Sequence, residues 1–217
     1  MSPLTLTYQS TPWLWLIPAL PLLGFLGCGL MALLGTRSAR GPDRGFVGLF
    51  AVLMPALSFV ATVAAALVLA DLPAGVARPE ALYHTGYDWF QLGPVALGFG
   101  LHFDALASLM LLFVTGIGSL IVLYSTGYMA RDRGFARFMS YLNLFLFAMI
   151  MLVLGDNLLV TFLGWEGVGL CSYLLIGFWH HDHGNNDAAR KAFIVNRVGD
   201  LGFLLGVFAL LAAVAAV

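Results

Sequence analysis

Apolar positions in this chain neither alternate at a strand period nor form one narrow helical stripe; they run in blocks of 18 to 26 residues separated by short polar breaks. The blocks fall at 13–35, 46–71, 103–126, 138–155, 158–179 and 192–216. A helix rising 1.5 Å per residue needs about 20 mostly apolar residues to cross a bilayer. All six blocks meet that length, and they predict an all-α, polytopic transmembrane helix bundle of about six spans. The breaks are "TRSARGPDRG" at 36–45, a long stretch at 72–100, a basic loop around 127–137, a tight turn at Asp156-Asn157, and "HHDHGNNDAARKA" at 180–192, read as a connecting loop. Residues 1–100 hold spans one and two with an outer-face segment, and 101–217 hold spans three to six.

One break departs from the helical pattern. "YDWFQLGPVALGFGLHFD" has two short alternating stretches on either side of Gly93-Pro94. That pattern predicts a β-hairpin lying on the membrane surface. Trp89, Phe90 and Phe99 would be its interface anchors.

Composition agrees with the pattern and narrows the function. The chain is 61% hydrophobic and 10% charged, with a mean hydropathy of +0.94, against roughly 45–50% apolar and 25% charged in soluble domains. A net charge of -1 without a clustered basic face excludes nucleic acid as a partner. Cys28 and Cys171 both lie inside apolar runs and read as small core residues rather than a disulfide or metal pair. The first block follows no basic n-region and precedes no small-residue cleavage site, so it reads as an uncleaved span. Arg37, Arg40, Arg44, Arg131, Arg133, Arg137, Arg190 and Lys191 all fall in odd-to-even connections, while the opposite side holds only Arg78. That asymmetry places the odd-to-even loops in the cytoplasm and 72–100 outside.

Against this background, charges inside spans stand out. Glu166, in "FLGWEGVGLCSYLLIGF", lies about eight residues into the fifth block, roughly 12 Å deep in a hydrocarbon core about 30 Å thick. Its stem is too short to snorkel, so it faces protein, water or a partner. Gly164, Gly167 and Gly169 beside it leave room for another helix or water. Either it is a buried structural carboxylate, or it is a proton site controlled by a switchable cation. The sixth block repeats the anomaly in "KAFIVNRVGDLGFLLG", where Arg197 and Asp200 are three residues apart on one helical face. They can pair with each other for structural reasons, or one of them tunes Glu166 from the adjoining helix.

Other polar positions carry less. Thr115 and Ser119 read as hydrogen-bonding within or between helices, and Asp104 as a cap at the start of span three. His180, His181 and His183 crowd one polar stretch without the one-face spacing of a helical metal site, so no metal is expected. No nucleotide-binding glycine loop, cysteine cluster or facing haem-histidine pair occurs, so no cofactor is expected in this chain.

"FARFMSYLNLFLFAMIMLVLGDNLLVTFLGWEGVGLCSYLLIGFW", followed by "KAFIVNRVGD", closely resembles the antiporter-like L subunits of the bacterial proton-pumping NADH-quinone oxidoreductase. The likeness is dense from about Asp104 to Phe208. It implies a membrane-arm subunit built on two inverted five-helix repeats within about fourteen helices, so that 101–217 hold the start of the proton-translocating repeat. By the same resemblance Glu166 matches the family's proton-channel carboxylate, and Arg197 and Asp200 match the arginine and aspartate of the next helix. It further implies an inner-membrane location and, as partners, the other membrane-arm subunits, the lipid bilayer and protons, with NADH and quinone handled by other subunits. The chain stops after six spans, before the family's broken helix and intramembrane lysines. The ending "LLAAVAAV" lacks a polar stop, which reads as a fragment of a longer subunit, the alternative being completion by a second polypeptide. Related functions to be separated are an Mrp-type cation/proton antiporter subunit, a hydrogenase- or carbon-uptake-linked membrane subunit, and a non-transporting scaffold.

Overall fold

A computed structural model of the chain describes residues 8–35, 43–71, 81–92 and 95–215. The turn at Gly93-Pro94, the residues Arg37, Arg40 and Arg78, and the side chains of Trp89 and Phe90 lie outside the described residues. Among the described residues six helices are long and apolar enough to cross a membrane. They are α1 Leu16–Gly35, α2 Arg44–Ala70, α3 Ala105–Tyr128, α4 Phe135–Leu154, α5 Leu158–Ile176 and α6 His183–Ala215. The protein is a multi-pass, all-α membrane bundle with a small sheet at one end.

Helix starts follow the side chains available. Asp43 caps α2 by accepting from the Gly45 amide at 3.0 Å, and Asp104 caps α3 through the Ala107 amide at 2.7 Å. Asn157 caps α5 by accepting from the amides of Leu159 and Val160 at 3.0 and 3.1 Å. Each cap satisfies first-turn donors that an apolar medium would leave stranded. Thr115 and Ser119 settle their hydroxyls on carbonyls one turn back, at Leu111 and Thr115, both at 2.6 Å.

The stretch expected to be a loop at 180–192 is mostly helix, because α6 begins at His183. Asp182 accepts from the Gly184 amide at 2.8 Å, its carbonyl accepts from the Asn186 amide at 3.2 Å, and Asp187 and Arg190 pair one turn apart. Apolar content registers only the part of a helix inside the bilayer, so a polar first turn escapes it.

α4 is the centre of the bundle: 44% of its apolar window is buried, against 11% for α6. It packs on α1, α2, α3 and α5, whereas α6 packs chiefly on α5. Two apolar clusters divide the interior. One, nearer the sheet, includes Leu14, Ile17, Leu82, Phe103 and Leu154; the other, nearer the basic loops, includes Cys28, Val47, Met129, Met139 and Phe178. Between helices, Ser58 donates to the Ile17 carbonyl at 2.7 Å, Ser140 to the Phe25 carbonyl at 2.9 Å, and Asn143 to the Ala51 carbonyl at 3.2 Å. Small residues and polar links hold helices together where lipid removes the hydrophobic driving force between them. At Gly164 of α5 the neighbour is main chain rather than a movable side chain, for a methyl group there would sit 2.6 Å from the Leu152 Cα of α4.

The sheet joins three strands in the order β1-β2-β3. β2, Ala81–Leu92, and β3, Val95–Phe103, form an antiparallel hairpin that starts earlier than the alternating stretch suggested, because β1, Tyr8–Ser10, pairs in parallel with its first residues. The hairpin is tied to the α4–α5 turn. Tyr83 donates to Asp156 at 3.0 Å, Asn157 donates to the Gly98 carbonyl at 2.7 Å, and Leu101 bridges Gly155. At the opposite end Arg44 donates to the Ala130 carbonyl, Arg137 to the Phe178 carbonyl at 3.3 Å, and Trp179 to Asp132 at 3.0 Å. Sheet and basic loops thus occupy opposite ends.

Two outcomes follow. Ser10→Cys and Arg133→Cys, both exposed positions against a background of buried native cysteines, should react with a membrane-impermeant thiol reagent from opposite sides, Arg133→Cys from the cytoplasm; labelling from one side would contradict the span count. Gly164→Ala should lower the thermal stability of the purified chain by about 1–3 kcal/mol through overpacking. Gly169→Ala, whose methyl would meet no side chain or neighbouring element among the described residues within 4 Å, should be neutral or slightly stabilising.

Candidate functional site

α5 has two opposed faces. Val160, Gly164, Gly167 and Cys171 follow helical spacing along the side that meets α4, with Gly167 within 2.9 Å, by its added methyl, of the Ala148 Cβ. Half a turn away, Phe162, Glu166, Gly169 and Tyr173 form a second stripe. Phe162 stacks on Phe203 at 5.4 Å, and Tyr173 meets Phe193 at 5.3 Å, so α6 lies along this stripe. Because α6 runs antiparallel to α5, these aromatic contacts close the helix pair on either side of Glu166.

Between them the structure brings together Glu166, Arg197 and Asp200. The Arg197 guanidinium ion-pairs with Glu166 Oε2 across the helix interface and lies 3.7 Å from Asp200 Oδ2 on its own helix. Its Cζ sits 4.5 Å from the centre of the Phe193 ring, a cation–π contact that holds it in place from a third direction. Both contacts that the sequence leaves open are present, in a definite order. Arg197 makes its direct contact with Glu166, and Asp200 is the more distant carboxylate.

Asp200 has a partner that spacing did not reveal. Its Oδ1 accepts from the Trp165 indole N–H at 2.8 Å, and the residue is only 5% exposed. The signal that could have found it is physical: an indole N–H deep in an apolar span needs an acceptor, and carboxylates are the acceptors within reach. Trp165 precedes Glu166, so one turn of α5 engages both charged residues that α6 brings to the site, Arg197 through Glu166 and Asp200 through Trp165. Beside them lies a crevice of about 200 Å³ that also includes Ser172 and Asn196, two further polar residues the sequence reading passed over. Glu166 and Arg197 also border an open groove of about 570 Å³.

The set carries two carboxylates and one cation. In a medium of low effective dielectric their couplings are strong, and a proton added to either carboxylate would neutralise the set. The remaining candidates do not join it. Asp104 caps α3, Thr115 and Ser119 are satisfied within α3, and the histidines sit at the basic end, with the rings of His180 and His181 4.1 Å apart. Among the described residues no three His, Cys, Asp or Glu side chains are grouped to hold a metal ion.

Comparison with known proteins shows what the chain is similar to. Residues 89–139 match the family model described as NADH-ubiquinone oxidoreductase (complex I), chain 5 N-terminus, and residues 155–216 the model described as NADH:quinone oxidoreductase/Mrp antiporter, TM. The NADH-quinone oxidoreductase subunit L of Mycobacterium tuberculosis (strain CDC 1551 / Oshkosh) is 41% identical over 202 residues, 93% of this chain and 30% of that one. The subunit L of Escherichia coli (strain K12) is 51% identical over 124 residues, 57% of this chain and 20% of that one. A chain in the structure of the Mrp complex from Dietzia sp. DQ12-45-1b aligns with a TM-score of 0.62 at 23% identity, over 87% of this chain and 18% of that one, a likeness of fold. The chain thus spans less than a third of the length of these relatives.

The geometry ranks the couplings. In double-mutant cycles read by thermal stability, Arg197→Gln with Glu166→Gln should show a larger interaction energy than Arg197→Gln with Asp200→Asn, within the usual range of about 0.5–3 kcal/mol for contacting groups. Equal couplings would contradict the arrangement.

Proposed function

As this chain belongs to the family of antiporter-like membrane subunits of complex I and the Mrp antiporters, we propose that it is the N-terminal part of a subunit that translocates protons in an inner-membrane NADH-quinone oxidoreductase. The observation that carries the proposal is a single cation, Arg197, in reach of two carboxylates, Glu166 and Asp200, on neighbouring membrane-spanning helices. Glu166 is the proton-loading group. Protonation releases its hold on Arg197, whose guanidinium then moves the short distance toward Asp200; loss of the proton draws it back. Trp165 keeps Asp200 in place while this happens. Proton transfer is therefore linked to the position of a charge rather than to a redox group.

The redox reaction and its cofactors belong to other subunits of the same complex, and its energy reaches this chain as a change in the charges around Glu166. The further helices of the subunit and the neighbouring membrane-arm subunits are the partners of α5 and α6.

The test is Glu166→Gln in the assembled complex, with NADH oxidation and proton uptake into inverted membrane vesicles measured together. The amide keeps the shape and hydrogen-bonding capacity of the carboxyl but cannot ionise. Pumping should fall severalfold while the complex assembles, and Glu166→Asp should be intermediate. Assembly loss with an unchanged ratio of protons to NADH in the remaining complex would make Glu166 a structural carboxylate. Sodium-dependent proton movement without NADH would point to the antiporter branch of the family.

A further inference from the structure

The basic end of the bundle holds a cavity that the proton site does not use. About 500 Å³ in volume, it lies where α4 begins and α5 and α6 meet, and its walls include Arg137, Arg190, His180, His183, Tyr141 and Tyr173. None of its lining residues is a carboxylate. The acidic groups nearby are already engaged: Asp187 takes one guanidinium nitrogen of Arg190 and leaves its other N–H groups without a carboxylate among the described residues, Asp182 caps α6, and Asp132 accepts from Trp179 and from the Gly134 amide at 2.6 Å. Those hydrogen bonds, from Trp179 first and then from the Gly134 amide, hold the Asp132 carboxyl below its usual range, with the nearby Arg137 and Arg44 adding to the effect.

Arg137 is oriented but not fully used. Its guanidinium lies 4.7 Å from the centre of the Phe178 ring and donates one bond to the Phe178 carbonyl, while its Nε is buried without a hydrogen-bond partner among the described residues. A buried guanidinium N–H with nothing to meet costs stability unless an acceptor fills the space. The depth is also specific. Arg137 and Tyr141 lie in the first two turns of α4, and Tyr173 and Leu174 in the last turn of α5, where a spanning helix meets the headgroup layer. Leu174, Ala189 and Phe178 supply an apolar side to the same cavity.

Two arginines, two histidines and two phenol groups around a hollow whose described lining includes no carboxylate, at headgroup depth, match the chemistry of a phosphodiester with acyl chains below it. Basic pockets between spanning helices on the cytoplasmic side bind anionic headgroups, and arginine forks suit phosphate oxygens. We propose that this cavity binds the phosphate of an anionic phospholipid, with Arg137 and Arg190 as its charge partners and the tyrosine hydroxyls as additional donors. The site is independent of Glu166 and would stand if the proton-transfer reading failed.

The test uses the full subunit in its assembled complex, exchanged in detergent into phosphatidylglycerol or phosphatidylcholine, with retained lipid counted by native mass spectrometry. The complex should retain phosphatidylglycerol preferentially, and Arg190→Gln should weaken that retention about fivefold, as expected for one arginine at a membrane surface. Arg190→Gln leaves the bundle interior untouched. Arg137→Gln, which also loses the Phe178 link, should add a comparable loss, checked against the thermal stability of each variant. Excess inorganic phosphate should not displace the lipid. Equal retention of the two lipids, or retention unchanged in Arg190→Gln, would overturn the proposal. So would displacement by inorganic phosphate, which would make the ligand a free anion.

Discussion

The charged contact between α5 and α6 depends on how closely α5 lies against α4. At Gly164 the two backbones approach with no room for a side chain, and the stripe Val160, Gly164, Gly167 and Cys171 fixes the rotation of α5 about its axis. In lipid there is little hydrophobic force to bring helices together, so close packing of small residues and hydrogen bonds across helices must do so. Once that face is committed to α4, the opposite face, carrying Phe162, Glu166 and Tyr173, must meet α6. The ionic contact between Glu166 and Arg197 thus follows from a packing contact on the far side of the same helix.

The elements of the bundle were legible in the sequence wherever membrane physics left a composition signal. Six apolar blocks gave six helices because a bilayer admits few other solutions, and Asp104 and Asn157 were readable as a cap and a turn because those residue types suit helix starts. The start of α6 was not legible, since its first turn is polar and outside the apolar window. The charged residues of the site could be picked out from their depth alone. Which carboxylate Arg197 contacts directly could not. Three-residue spacing joins Arg197 to Asp200 on one helix, but which helix face α5 presents to Arg197 depends on Gly164 and its neighbour in α4, a contact between residues that spacing along one chain does not relate. Trp165 escaped for the same reason, as its acceptor lies 35 positions away.

The two ends of the bundle are built differently. At one end backbone pairing and side-chain links from Asp156 and Asn157 fasten the hairpin to the α4–α5 turn. At the other, arginine side chains span the loops and reach main-chain carbonyls. The first arrangement is rigid and directional, since both partners of each bond lie on defined elements. The second uses long side chains whose charge also favours the cytoplasmic face.

The parallel pairing of β1 with β2 has a consequence for biogenesis. Tyr8–Ser10 and Ala81–Tyr83 lie side by side although α1 and α2 intervene, so the two strands can meet only when the chain has crossed the bilayer an even number of times between them. During insertion the first strand waits on its side of the membrane until the second emerges beside it, two helices later. A chain that inserted α1 but left α2 behind would place the strands on opposite sides and could not close the sheet. The small sheet therefore acts as a parity check on translocation, completed late because it joins distant segments, and once closed it holds the first helical hairpin in the orientation in which it was inserted.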